Sequence, residues 1–211
     1  MLMSTEGQAG EPAAAPRVRT STVVVALLLI ALLLVSALAV VFYVQAQDFR
    51  GAKYRAQYTL VMEIYDSIPS LNESLEDVVD DVLDNGFRRS AAAYAQATAE
   101  AISGACHSIE VMYPSDEDKA VTFASLAAAF ASLADTAETA YDQLTDPTPD
   151  VSQPVEEALV ESATVIMQIR SLVYEGVDPE VPLEDVSYDL LDRMNLVSLA
   201  SAAEALDAAQ P

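Results

Sequence analysis

Asp80, Asp81 and Asp84, followed by Arg88 and Arg89, are the residues whose types and spacing come nearest to supporting chemistry in this 211-residue chain. On a helix Asp80 and Asp84 lie one turn apart on the same face, where their carboxylate oxygens could bridge a divalent cation. The other chemically suggestive pair is Cys106-His107. Adjacent helical residues point about 100° apart, and there is no further Cys or His in the chain to complete a tetrahedral metal site. Cys106 is therefore expected to be a buried thiol, or a link between two copies, and His107 a surface residue. No glycine-rich turn presents a serine nucleophile, and a chain with six glycines has no phosphate-cradling loop. Neither a catalytic site nor a cofactor is expected.

The stretch DDVLDNGFRR, Asp80 to Arg89, resembles the aspartate-rich motif of trans-prenyl diphosphate synthases. The resemblance implies magnesium on Asp80, Asp81 and Asp84 and the diphosphate of an allylic substrate near Arg88 and Arg89. It extends no further along the chain. That family is longer and carries a second aspartate-rich motif across its pocket, which Asp185-Val186-Ser187-Tyr188-Asp189 does not match. A Mg-dependent enzyme is thus the alternative expectation, and a solvated acidic helix face the leading one. Asn72-Glu73-Ser74 fits an N-glycosylation sequon, in the first turn of an expected helix.

The elements that would position these residues begin with a run from Val23 to Val44 that holds no charged residue and only Ser36 and Tyr43 as polar interruptions. About 20 such residues in a helix match a hydrocarbon core roughly 30 Å thick, so a signal-anchor transmembrane helix is expected over residues 21–46. The alternatives are a cleaved signal, with Val44-Gln45-Ala46 as its small-x-small site, and a buried soluble helix. Residues 1–20 read as a disordered tail rich in Ala, Gly and Pro. Residues 47–69 read as a stalk helix bearing the stripe Tyr54, Tyr58, Val61 and Tyr65, and residues 70–211 as an acidic helical-bundle domain.

Within that domain Ser70 to Glu73 reads as a capping box that starts a new helix after Pro69. Its stripe Leu71, Leu75, Val78, Val82 falls out of phase with Ala91, Ala95, Ile102, Ala105, Ile109, Met112, which places a helix end at Asn85-Gly86 with the glycine in the left-handed region. The spacing Phe123, Leu126, Phe130, Leu133, Ala137, Tyr141, Leu144 is the strongest amphipathic, coiled-coil-like pattern. Val155, Leu159, Ala163, Ile166, Ile169, Val173 mark another helix, and Val186, Leu190, Met194, Val197 and Ala205 a last one. No strand pattern appears. The fold class expected is all-α: one N-terminal transmembrane helix continuing into an antiparallel bundle of about four to five helices. Alanine-rich seams permit close helix approach but remove little apolar area per residue, which makes self-association an expectation.

A formal net charge of -23 repels nucleic acid and anionic lipid, so no nucleic-acid partner is expected. The basic residues flanking the span, Arg17 and Arg19 before it and Arg50, Lys53 and Arg55 after it, give no clear orientation. An early span followed by a large domain favours a cytoplasmic N-terminus with the C-terminal domain extracytoplasmic at the cell membrane, or secretion after cleavage near Ala46. The layout resembles the extracytoplasmic four-helix ligand-binding domains of bacterial and archaeal receptors, which also carry a second span and an output domain. The expected function is a membrane-anchored interaction or sensor-like accessory module, with the bilayer and a protein partner or a second copy as its partners.

Overall fold

The computed structural model describes residues 20–211 apart from 147 and 178–180, with side chains from residue 32 onward except that of residue 184. The tail expected over the first twenty residues, and the prolines at 147 and 179, therefore fall outside the described part, save Thr20. Among the described residues there are five α-helices and no strand: α1 (Thr20–Val79), α2 (Asn85–Val111), α3 (Glu117–Thr145), α4 (Gln153–Gly176) and α5 (Leu196–Ala208). Two 3-10 turns, Leu183–Asp185 and Leu190–Arg193, lie between α4 and α5. The chain divides into two units, Met1–Gln47 and Asp48–Pro211.

The first unit contributes the opening part of α1. Every side chain described in it, from Leu32 to Gln47, is exposed, including Leu33, Leu34, Leu38 and Phe42. Among the described residues α1 and α3 are the two helices long and apolar enough to cross a membrane.

The second unit is a helical bundle built around α3, which packs on α2, α4 and α5. Phe123, Leu126, Phe130 and Leu133 of α3 are fully or almost fully buried, with Ile102 and Ile109 of α2, Leu159, Ile166 and Ile169 of α4, and Leu199 and Leu206 of α5 in the same core. From α1 come Val61, Ile64, Ile68, Leu71, Leu75 and Val78. The tyrosine stripe is a packing face: Tyr58 is buried, and Tyr54 and Tyr65 pack against the core. Between α2 and α3 the seam is alanine. Ala92, Ala95 and Ala99 on one helix and Ala129, Ala137 and Ala140 on the other have no exposed surface, and short side chains bring helix axes close. The approach is near enough for Ser103 Oγ of α2 to donate to the backbone carbonyl of Ala127 at 2.7 Å.

Three local expectations are corrected. First, α1 does not stop before Pro69; it runs through it to Val79. Proline removes the N–H that would meet the carbonyl four residues earlier, which here belongs to Tyr65. Arg170 of α4 supplies a replacement, its Nε donating to Tyr65 O at 3.4 Å while the guanidinium lies 4.3 Å from the Tyr65 ring centre. Ser70, expected as a cap, instead donates to Ser67 O at 2.9 Å.

Second, the helix break lies earlier than Asn85-Gly86: α1 ends at Val79, and Gly86 sits in the first turn of α2 with no positive φ. Third, the last expected helix is two 3-10 turns followed by a shorter α5. Asp189 accepts from Leu191 N and Asn195 from Ser198 N, and each cap restarts the chain in a new direction. The stripe is correspondingly wrong for α5, whose inward face is Leu199, Ala202, Ala203 and Leu206, while Val197, Ser201 and Ala205 are exposed.

Because Pro69 lies inside a continuous helix, Pro69→Ala is expected to stabilise the protein by about 1–2 kcal/mol, part of the roughly 3 kcal/mol an interior proline costs. Ser70→Ala is expected to leave stability almost unchanged. Urea midpoints of the two variants check this; a loss near 1 kcal/mol in Ser70→Ala would mean a helix does start there.

Candidate functional site

The aspartate-rich stretch folds as the corner between α1 and α2, not as a helical face. Asp80 O accepts from Leu83 N at 3.1 Å and its Oδ1 from Val82 N at 2.9 Å, which closes the turn. Asp84 is the N-cap of α2, its Oδ1 accepting from Gly86 N at 2.9 Å and Phe87 N at 3.0 Å. Asp81 pairs with Arg88 Nη1 at 3.4 Å. All three aspartates are exposed. Arg88 is buried and donates Nε to Val78 O at 2.8 Å, satisfying one of the carbonyls that α1 leaves unpaired at its C-terminus.

The shared carboxylate face expected for Asp80 and Asp84 is therefore not formed. Among the described residues no group of three or more His, Cys, Asp or Glu side chains is placed to hold a metal ion. The physical reason is local: aspartates just beyond a helix end bind backbone N–H groups more readily than they extend the helix.

The remaining candidates are placed as follows. Asn72 is half-buried within α1, donating Nδ2 to Glu76 Oε1 at 2.7 Å, well past the first helical turn in which the sequon was expected. Cys106 is fully buried in α2, and burial pushes its thiol above the ordinary cysteine range, which disfavours the reactive thiolate. His107 is exposed, its Nδ1 2.8 Å from Glu110 Oε2.

The densest polar cluster lies elsewhere, around Lys119 in the first turn of α3. Its Nζ reaches Asp192 Oδ1 at 2.6 Å, Asp189 Oδ2 at 2.9 Å and Asp116 Oδ2 at 3.3 Å, so all three ammonium donors have carboxylate acceptors. Asp189 Oδ1 accepts from Gln57 Nε2 of α1 at 2.9 Å, and Leu190 N donates to Gln57 Oε1 at 3.4 Å. The ring of Tyr113 lies beside them, with Lys53 Nζ 3.6 Å and Lys119 Nζ 4.9 Å from its centre.

Electrostatics follow from this geometry. Burial alone would lower the Lys119 pKa, but its bonds to Asp192 and Asp189 override it and hold the ammonium charged. Burial would raise Asp189, but the bonds from Lys119 and Gln57 hold it below the usual aspartate range. Burial, with Asp189 next, pushes the Tyr113 phenol up. The cluster is a clasp that fixes the 183–195 segment to α1 and α3.

The residues of this clasp were out of reach for sequence reasoning. Gln57, Lys119 and Asp189 stand far apart in the chain, and only the scarcity of lysine, two in all, marked Lys119. A second buried polar set ties down the C-terminus: Gln210 Nε2 donates to Ser162 Oγ at 3.0 Å, and Thr136 Oγ1 to Gln210 Oε1 at 2.7 Å.

Comparison with protein-family models, with curated proteins and with solved structures finds no match to this chain.

Two outcomes test these assignments. Asp84→Ala is expected to cost about 1 kcal/mol through loss of the cap, and any Mg²⁺-dependent shift in melting to be the same in wild type and in Asp80→Asn with Asp84→Asn, measured by thermal unfolding with and without the ion. Asp189→Asn is expected to destabilise the protein at neutral pH by about 2–4 kcal/mol, since Lys119 loses a buried partner. The folded Asp189 pKa is lowered, so its contribution is full above the unfolded value of about 3.9 and lost as pH falls through the lower folded value. The gap between wild type and Asp189→Asn should accordingly shrink from pH 6 toward strong acid in urea titrations; a constant gap would refute the charged-pair assignment.

Proposed function

We propose that the chain is a single-pass membrane protein whose N-terminal helix anchors an extracytoplasmic acidic bundle, and that the bundle serves as an interaction or sensor-like accessory module, not a catalyst. One observation carries the proposal: from Leu32 to Val44 every side chain of α1 is exposed, with no part of the described chain covering it. In water such a helix would leave its entire apolar circumference hydrated, at about 25 cal/mol per Å². A bilayer removes that cost, and the uncharged run from Val23 to Val44 has the length, about 33 Å at ~1.5 Å per residue, to cross it. α3 is also long and apolar enough to cross a membrane, but more than half of its most apolar stretch is buried inside the bundle, so its apolarity has a protein explanation.

Charge supports the division of labour. After Gln47 the chain holds 31 acidic and eight basic residues, which accounts for the whole net charge of -23. A domain so charged is soluble and repelled by anionic headgroups. The proposed orientation leaves the residues before the span in the cytoplasm and the bundle outside. The extracytoplasmic accessory role rests on that orientation and on the lack of converging catalytic groups around Asp80, Asp81 and Asp84. Cleavage near Ala46 is the competing fate.

Cells expressing the chain with a C-terminal tag test both points. The full-length mass is expected in the membrane pellet after alkaline carbonate washing, and protease added to intact cells is expected to remove the tag. Leu33→Arg with Leu38→Arg should abolish stable insertion, each arginine costing about 2.5–3.5 kcal/mol near the centre of a span. Uncut protein in the soluble fraction without detergent would overturn the anchor, and a tag shielded from protease would overturn the orientation.

A further inference from the structure

α5 is apolar on two sides. Leu199, Ala202, Ala203 and Leu206 enter the core, while Val197 faces away from it into a surface groove of about 540 Å³ between α5 and the start of α3, which Leu196, packed in part against the core, also lines. Val121 of α3 completes the floor, and it and Val197 are 56% and 78% exposed. A helix on a solvated surface keeps one face polar, so a second apolar face in a concave setting marks a place where something else packs. Val197 alone of these apolar residues belongs to the stripe whose spacing read as core; Val186, Leu190 and Met194 of that stripe are buried.

The rim of the groove is acidic. Glu117, Asp118 and Glu204 line it, all are exposed, and none makes an ion pair among the described residues. Lys119, next in sequence, cannot neutralise them because its charge is committed to Asp189, Asp192 and Asp116. An apolar floor under unpaired carboxylates complements an occupant with aliphatic anchors flanked by Lys or Arg. A groove between two helices suits a third helix.

We propose that this groove docks a basic amphipathic helix of a protein partner. A second copy is a poor occupant: it brings the same net charge of -23, and Arg88, Lys119, Arg170 and Arg193 are already engaged with Val78, the aspartates, Tyr65 and Tyr188. Complementary charge at the rim speeds encounter and fixes register, while the valines supply the buried contact. The proposal deepens the accessory-module reading and rests on its premise that the bundle binds a protein.

The test uses the full chain in zwitterionic-lipid nanodiscs and a synthetic fluorescent peptide of Leu and Lys patterned as an amphipathic helix, with empty nanodiscs as the blank. Glu117→Gln, Asp118→Asn and Glu204→Gln together are expected to weaken peptide binding about tenfold, with Val197→Ser weakening it about fivefold. The equal-charge control Glu156→Gln, Glu157→Gln and Glu161→Gln, on exposed positions of α4, should change it less than about twofold. Val197 is so exposed that its replacement by serine leaves folding intact, which keeps the test valid if the triple variant melts early.

Absence of peptide binding, equal losses in the two triple variants, unchanged binding in Val197→Ser, or equal affinity for a Leu and Glu peptide would each overturn the groove. So would sedimentation showing a dimer that Val197→Ser dissolves. Carbonate extraction reads the anchor and peptide titration reads the groove, so either can fail without the other.

Discussion

Burial of α3 is the constraint on which the second unit depends. This helix carries Phe123, Leu126, Phe130 and Leu133 with its alanines spread around more than one face, and water tolerates such a surface only if neighbours cover it. α2, α4 and α5 do so, each in a different manner. α2 approaches through alanines closely enough for Ser103 to reach a backbone carbonyl. α4 and α5 bring larger aliphatics, and Gln210 pins the end of the chain between Thr136 and Ser162. Each alanine in this core removes less apolar area than a leucine would.

Polar groups in this bundle hold ends and connections more than they form a site. Asp84 starts α2, Arg88 closes α1, Gln143 bonds both N and Oγ of Ser152 across the α3–α4 link, and Lys119 gathers the irregular segment before α5. Each gives a protein partner to a backbone group or a side chain at a helix end or connection. The acidity of the surface follows from this economy: the few basic residues are largely used internally, and the carboxylates face water.

The apolar helix of the first unit obeys the opposite rule. Its side chains find no protein cover, whereas the apolar face of α3 does. Composition makes the two helices look alike, and packing separates them. Under the proposed anchor a membrane would cover the one and the core covers the other, and the bundle would meet a partner through its own surface, including the groove beside α5.

By itself the sequence determined helix content, the positions of α3 and α4, the apolar run and the alanine seam, since each is a periodicity of side chains along one segment. It misread places where one residue has two uses. Pro69 read as a stop, but Arg170 from α4 meets the carbonyl it orphans; Asp80 and Asp84 read as one face of a helix, but a chain turn sets them on backbone N–H groups. Val197 read as core, but the caps at Asp189 and Asn195 reset the phase of α5 and left it facing the groove. Only tertiary structure joined Gln57, Lys119 and Asp189, because a contact between residues so far apart in the chain leaves no local pattern, and its energy exists only once the bundle has excluded water from it.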